Sequence, residues 1–181
     1  MIRFLTYCFA GVVLGGIIHL SVTLVMPTVS SNTAWQHVTS RHALNRVFVV
    51  DAKEKDLPRL LNLDPAFAHA ICPIDLFDGP VSLSGQLPQG FWTASLIAKD
   101  GSVPYSTTSR TNSNSNFDVA IFTPTQSQGL AAGEYELAPG MTIVKSEVSE
   151  LIAIVRALPT HRAQLPAYLS QLSELECGYI E

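Results

Sequence analysis

The chain has 181 residues, 47% of them hydrophobic and 14% charged, with a formal net charge of −4. Its 11 lysines and arginines form no cluster, which argues against a nucleic-acid partner, because such binding needs cations to neutralise phosphates. Three cysteines without a Cys-x-x-Cys pair or clustered histidines fit no zinc signature.

Phe4 to Met26 is one apolar run of about 23 residues with no formal charge. As a helix it spans roughly 34 Å, enough to cross a hydrocarbon core about 30 Å thick with modest tilt. Arg3 precedes the run, and no lysine or arginine follows until Arg41. That asymmetry favours a cytoplasmic amino terminus, with everything after Pro27 outside. A cleaved signal peptide is the rival. Its apolar region is shorter and ends in a small-residue site, for which Thr28-Val29-Ser30 is a poor candidate, so the length points to an uncleaved anchor. Gly11 and Gly15 make a G-x-x-x-G pattern that would let a second helix approach closely, although membrane helices are glycine-rich anyway. His19 either hydrogen-bonds a partner helix or rests as a neutral imidazole near the outer interface. The predicted organisation is a cytoplasmic stub and anchor (1–27), a membrane-proximal helix or linker (28–45) and an extracytoplasmic β domain (46–181).

Trp35, in the polar linker, is expected at the headgroup level. Arg46 to Asp51 reads as a short buried strand, and the charged, proline-broken stretch 52–65 as a surface loop. Ala68–Leu76, Val81–Leu87, Phe91–Ala98 and Ser102–Thr108 are strand-length runs. Asp78-Gly79-Pro80, Pro88-Gln89-Gly90 and Asp100-Gly101 separate them with turn chemistry. Val81, Leu83 and Leu87 alternate with Ser82, Ser84 and Gln86, which predicts an antiparallel meander with one wet face. After a polar loop (106–116), Phe117–Thr123, Met141–Ser146 and Leu151–Leu158 read as strands. From Thr160 the chain is expected to end in an amphipathic helix with a stripe of Leu165, Leu169, Leu172 and Leu175. The predicted fold is mainly β: an antiparallel sandwich or partial barrel of seven or eight strands, with a helix at each end.

The polar candidates are Asp64, His69, Asp75, Asp78, Tyr105, Arg110, Asp118 and Arg156. His69 and Asp75 share a strand face but lie about 20 Å apart, too far for one metal unless Pro73 breaks the strand. Asp78 reads as a turn former and Trp92 as core. Arg156, in an apolar strand, either ends it at the surface or is buried with a carboxylate. No P-loop, Rossmann glycines, G-x-S-x-G or H-E-x-x-H occurs, so neither catalysis nor a cofactor is expected. Cys72 and Cys177 lie outside in this topology, where they could pair in an oxidising compartment or remain two small buried thiols.

The stretch DPAFAHAICPIDLFDGPVSLSGQLPQGFWTASLIAKDGSVPYSTTSR, Asp64 to Arg110, resembles the "domain of unknown function 1254" proteins, above all their short membrane-anchored forms from alphaproteobacteria. The late I-V-R-A-L and Cys177 fit the same pattern. The resemblance implies a β-rich periplasmic domain on a single-pass inner-membrane anchor. It implies no established activity. Cys72, Asp75, Asp78, Trp92 and Tyr105 fall at its fixed-looking positions, while Pro73 stands where a basic residue is more usual. Such proteins are often paired with a sister family, "domain of unknown function 1214", which makes a sister-family membrane protein a candidate partner. The function expected is a non-enzymatic envelope accessory protein acting by protein–protein interaction. The alternative is a lipid- or glycan-binding module whose small-molecule ligand is unknown.

Overall fold

The computed structural model of the chain describes residues 2–51, 56–111 and 116–180, with backbone alone for 27–34. Helix α1 runs from Ile2 to Thr39 as one 38-residue element. Its segment Ile2–Met26 has a mean hydropathy of 2.1, is uncovered by the rest of the protein, and is long and apolar enough to cross a membrane. The helix does not stop at Pro27, so most of the expected linker continues it. Trp35 is not an interfacial residue. It is 6% exposed and packs with Val38, Leu57, Leu63, Ile71, Ile152 and Ile154. Trp35 and Val38 are three residues apart and so share one helix face. Their partners Leu57 and Leu63 come from the stretch expected to be a surface loop. That stretch contains a short helix, α2 (Leu57–Leu60), with proline in its first turn. Residues 52–55 of it lie outside the described residues.

Nine strands form two sheets among the described residues. They are β1 (Phe48–Val49), β2 (Ala68–Asp75), β3 (Val81–Gln86), β4 (Phe91–Ala98), β5 (Tyr105–Thr108), β6 (Asn116–Phe122), β7 (Thr142–Lys145), β8 (Glu150–Leu158) and β9 (Glu176–Tyr179). One sheet has the order β1-β2-β8-β4-β5 and the other β7-β6-β3-β9. With α1, α2, a helix α3 (Gln126–Ala132) and a helix α4 (Leu165–Leu172), the architecture is mixed α/β rather than mainly β.

The meander does not form. The chain changes sheet after β2 and again after β3, and β8 inserts between β2 and β4. Two features explain the crossings. Leu76 and Leu87, at the two corners, are 1% exposed and turn the chain through the core. Gly79 does not take the positive φ of a tight hairpin, whereas Gly101 does, at 86°, in the β4–β5 hairpin. Asp100 completes that hairpin by accepting from the Ser102 hydroxyl at 2.7 Å and its N–H at 2.9 Å, which lowers its carboxyl pKa. Nor is the second sheet wholly antiparallel. β6 and β7 are parallel, joined through α3 as parallel strands require a crossover. Thr123 and Gln126 exchange hydrogen bonds at the start of α3, and the Gln126 amide donates to the Leu76 carbonyl at 2.6 Å, clipping that corner to β6.

The sheets share one core. Ala70, Cys72 and Ile74 of β2, Ala94 and Leu96 of β4, and Ala153 and Val155 of β8 meet Val81, Leu83, Val119 and Ile121 of the other sheet. Ile71, Ile152 and Ile154 point the opposite way, under α1 and α2. β2 and β8 are therefore covered on both faces, and each fully buried aliphatic side chain contributes about 1.5–3 kcal/mol. α4 starts with Pro166 in its first turn and places Leu172 against the core. The expected terminal helix ends at Leu172, and the chain returns as β9 along β3. Cys177 is in register with Leu83, whose side chain faces inward, so Cys177 also faces inward. There it is joined to Cys72 of β2, with Cα atoms 6.7 Å apart, and the bridge ties the two sheets together.

The segment leading into β9 leaves little room at Gly85, which has φ +144°. A Cβ there would lie 2.8 Å from Leu175 Cδ2 and 3.3 Å from its Cα. Gly85→Ala is expected to destabilise the domain by about 2 kcal/mol, read as a lower urea midpoint at unchanged slope. An unchanged midpoint would mean that Leu175 moves aside freely.

Candidate functional site

A cleft of about 400 Å³ opens between the end of β1, α2, the start of β2 and α4. Val50, Pro58, Leu63, Phe67, Leu165 and Leu169 give it apolar walls, and the Asp51 and Asp64 carboxylates lie at its exposed edge. A hollow of about 350 Å³, reaching Arg162 and Leu158, adjoins it through Asp64, Pro65 and Leu165. The size and lining are those of a small-molecule site.

His69 is the buried polar residue of the cleft, 4% exposed. Its Nε2 lies 2.8 Å from the Asp64 carbonyl oxygen. A carbonyl only accepts, so Nε2 carries the proton and donates. In the neutral ring Nδ1 is then a bare acceptor, and it is buried with no partner among the described residues. Burial lowers the His69 pKa most, and the neighbouring Arg156 lowers it further. The Asp64 carbonyl and carboxylate raise it by less. The folded protein thus prefers neutral His69, while the unfolded chain protonates near the ordinary value of about 6.5. Stability from this group is complete above pH 6.5 and falls as the pH drops toward and through the lowered folded value. Comparison of urea midpoints at pH 7.5 and 5 should therefore show a smaller acid loss in His69→Gln than in the natural protein. Equal losses would place the acid sensitivity elsewhere.

The other candidates do not converge on this cleft. Arg156 is half-buried on the outer face of its sheet, in register with His69 and Thr93. Asp75 pairs with Glu150 at the far end of β8. Its backbone is held by both ends of the Asn45 amide at 2.9 and 3.2 Å, and its carboxylate accepts from Phe77 N–H at 2.9 Å. β2 runs unbroken through Pro73, so His69 and Asp75 stay about 20 Å apart. Pro73 lies beyond the pairing with β1, where its carbonyl accepts from Asn45 N–H at 2.7 Å and no ladder partner needs its missing N–H. Asp78 is an exposed turn residue; burial first, and then the charges of Asp78 and Asp75, raise the Tyr179 pKa. Trp92 is 3% exposed, in the core, edge-on to Phe117. Tyr105 packs against that inner core, on the opposite face from Arg156. Arg110 is exposed just past β5. Asp118 is half-buried on β6, in register with Ser84. Gly11, Gly15 and His19 lie on the uncovered part of α1. Among the described residues no three His, Cys, Asp or Glu side chains gather to hold a metal ion.

The sequence reading missed the cleft because it needs three distant segments at once. Its available signal was the leucine spacing of 57–63 inside a stretch dominated by charge.

No family model and no curated protein sequence matches the chain. Among solved structures the fold is similar to the VPA0106 protein from Vibrio parahaemolyticus, with a TM-score of 0.61 at 11% identity over 84% of this chain. A second match, an uncharacterized protein from Burkholderia cenocepacia, has a TM-score of 0.43 at 8% identity over 81% of this chain. The chain spans about a third of the first protein's length (35%) and under half of the second's (45%). At 11% identity the first likeness concerns the fold alone.

Proposed function

We propose that the protein is a non-catalytic accessory protein of the bacterial envelope, of the "domain of unknown function 1254" type. Its single inner-membrane span has the amino terminus in the cytoplasm, and its periplasmic domain docks to another envelope protein. The observation that carries this reading is α1 itself, whose apolar span and Trp35–Val38 core contact belong to one helix. Such a helix holds a domain at a set height and orientation over a bilayer, which suits docking to a neighbour in the same membrane. Arg3, before the span, supports the orientation, and a disulfide suits an oxidising compartment.

A photo-crosslinking residue at Phe77, which is 84% exposed at the corner between β2 and β3, tests the reading in intact cells. One discrete adduct with an envelope protein, absent when the probe is moved to the exposed Ser102, is expected. Adducts with nothing, or the same smear from both positions, would contradict docking. The alternative, a lipid- or glycan-binding module, is favoured on its lipid side by the apolar cleft.

A further inference from the structure

We infer that the outer face of β4, β5 and β8 binds an acidic glycan, with one sugar carboxylate on the Arg156 guanidinium and sugar hydroxyls on the strand hydroxyls beside it. The register places these groups together. Ala94, Leu96, Ala153 and Val155 point into the core, so Thr93, Ser95 and Arg156 point away from it. Thr107 is buried on β5, and Ser106 and Thr108 alternate with it. Arg156 is opposite Thr93, and Thr93 is opposite Thr108, which makes one transverse row. Ser95 and Ser106 form the next row, their hydroxyl oxygens 3.0 Å apart. On the other side of the Arg156 row stand Phe91 and Leu158, opposite each other and 41% and 38% exposed. Side chains opposite one another in such rows have Cβ atoms about 5 Å apart. The patch measures about 13 Å along the strands and about 10 Å across them, the footprint of about two linked sugars.

Charge says what fits. Arg156 is half-buried, yet no carboxylate among the described residues pairs with it. Glu150, the one carboxylate on these three strands, is already paired with Lys99 at the far end of β8. The face therefore carries a free cation on a chain of net charge −4. A partly desolvated guanidinium without a counter-ion is matched by a planar carboxylate, which it holds by two parallel hydrogen bonds. Four hydroxyls that can each donate and accept suit a polyol rather than an apolar ligand. Phe91 offers an exposed ring for the C–H groups of a sugar. The groups lie in rows on a sheet rather than around a cavity, which suits an extended chain over a small ion. The inference does not rest on the docking reading, whose Phe77 corner lies beyond the Glu150 end of β8, about 20 Å along the strand from Arg156.

The test uses the full chain, 15N-labelled at arginine, in phosphatidylcholine nanodiscs at low salt, with trigalacturonate, its methyl ester and inorganic phosphate as probes. Trigalacturonate should shift the Arg156 Nε–H resonance. The ester keeps the sugars and loses the charge, and it should bind roughly tenfold more weakly, the size of one charge-assisted hydrogen bond. Arg156→Gln should lose about the same factor for the acid. So should Thr93→Glu, which leaves the arginine in place and gives it a cross-strand carboxylate. Phe91→Ala should weaken acid and ester alike. No shift at Arg156, equal affinity for acid and ester, or full affinity in Thr93→Glu would overturn the assignment of Arg156 as the handle. Phosphate binding as tight as that of trigalacturonate would reveal a bare anion site and overturn the glycan. Loss of trigalacturonate binding when phosphatidylglycerol is added to the discs would assign the face to a lipid head group and contradict it as well.

Discussion

Replacing both bridge cysteines (Cys72→Ala with Cys177→Ala) is expected to lower the stability of the β domain by about 4 kcal/mol. The bridge closes a loop of 105 residues, and the chain-entropy model gives about 4.7 kcal/mol for a loop of about 100. The native contacts make this loss hard to absorb. β9 is a four-residue edge strand that pairs with β3 alone, so without the bridge only that ladder and the Leu172–Leu175 packing keep the carboxyl end in place. With a urea slope of about 2 kcal/mol/M, the midpoint should fall by about 2 M. The free Cys8 lies on α1, far along the chain from both partners, and needs no replacement for the comparison. A fall under about 0.5 M would mean that β9 is held by its ladder and that the bridge is incidental.

Trp35→Ala should cost about 3–5 kcal/mol, the usual range for removing a large buried aromatic ring. The ring packs with Leu57 and Leu63 on one side and with Ile71, Ile152 and Ile154 of β2 and β8 on the other. Ile71, Ile152 and Ile154 are fixed by their strands, and Leu57 sits on a single helical turn. The measured loss should include a change in kind as well as size. With the ring gone, Val38 is the one apolar side chain of α1 left in that cluster among the described residues, so the helix and the sheets should become separately mobile. Limited proteolysis in nanodiscs is expected to cut the variant near Thr39 while leaving the natural protein intact.

Much of the β pattern was legible in the sequence because one face of β3 and β4 is more exposed than the other. Val81 and Leu83 are buried while Ser82 and Ser84 are half-exposed, so the period of two survives in the residues themselves. β2 gives no such signal. Seven of its eight residues are buried, since one face meets the second sheet and the other meets α1 and α2. Its partner was therefore invisible, and the meander expectation placed β3 beside it where β8 belongs. Trp35 was misread for a related reason. Its polar flanks suit a membrane surface, and the leucines that bury it follow in a stretch whose lysines and aspartate suggest a solvated loop. The amphipathic pattern of the carboxyl end located α4 correctly, but Ser173 and Glu174 already leave the helix and Cys177 belongs to a strand. His69 was visible as a candidate. Its role was not, because its carbonyl partner lies five residues upstream and the cleft walls come from α2 and α4.

The continuity of α1 is the point on which the account depends, and an electron–electron spin distance tests it directly. One label is placed on the natural Cys8 and the other on an introduced cysteine at the exposed Ser173, in the full chain with the Cys72–Cys177 bridge intact, in nanodiscs. A single narrow distance distribution is expected, broadening in Trp35→Ala. A broad distribution in the natural protein, unchanged by that substitution, would contradict a helix that carries the domain as one piece.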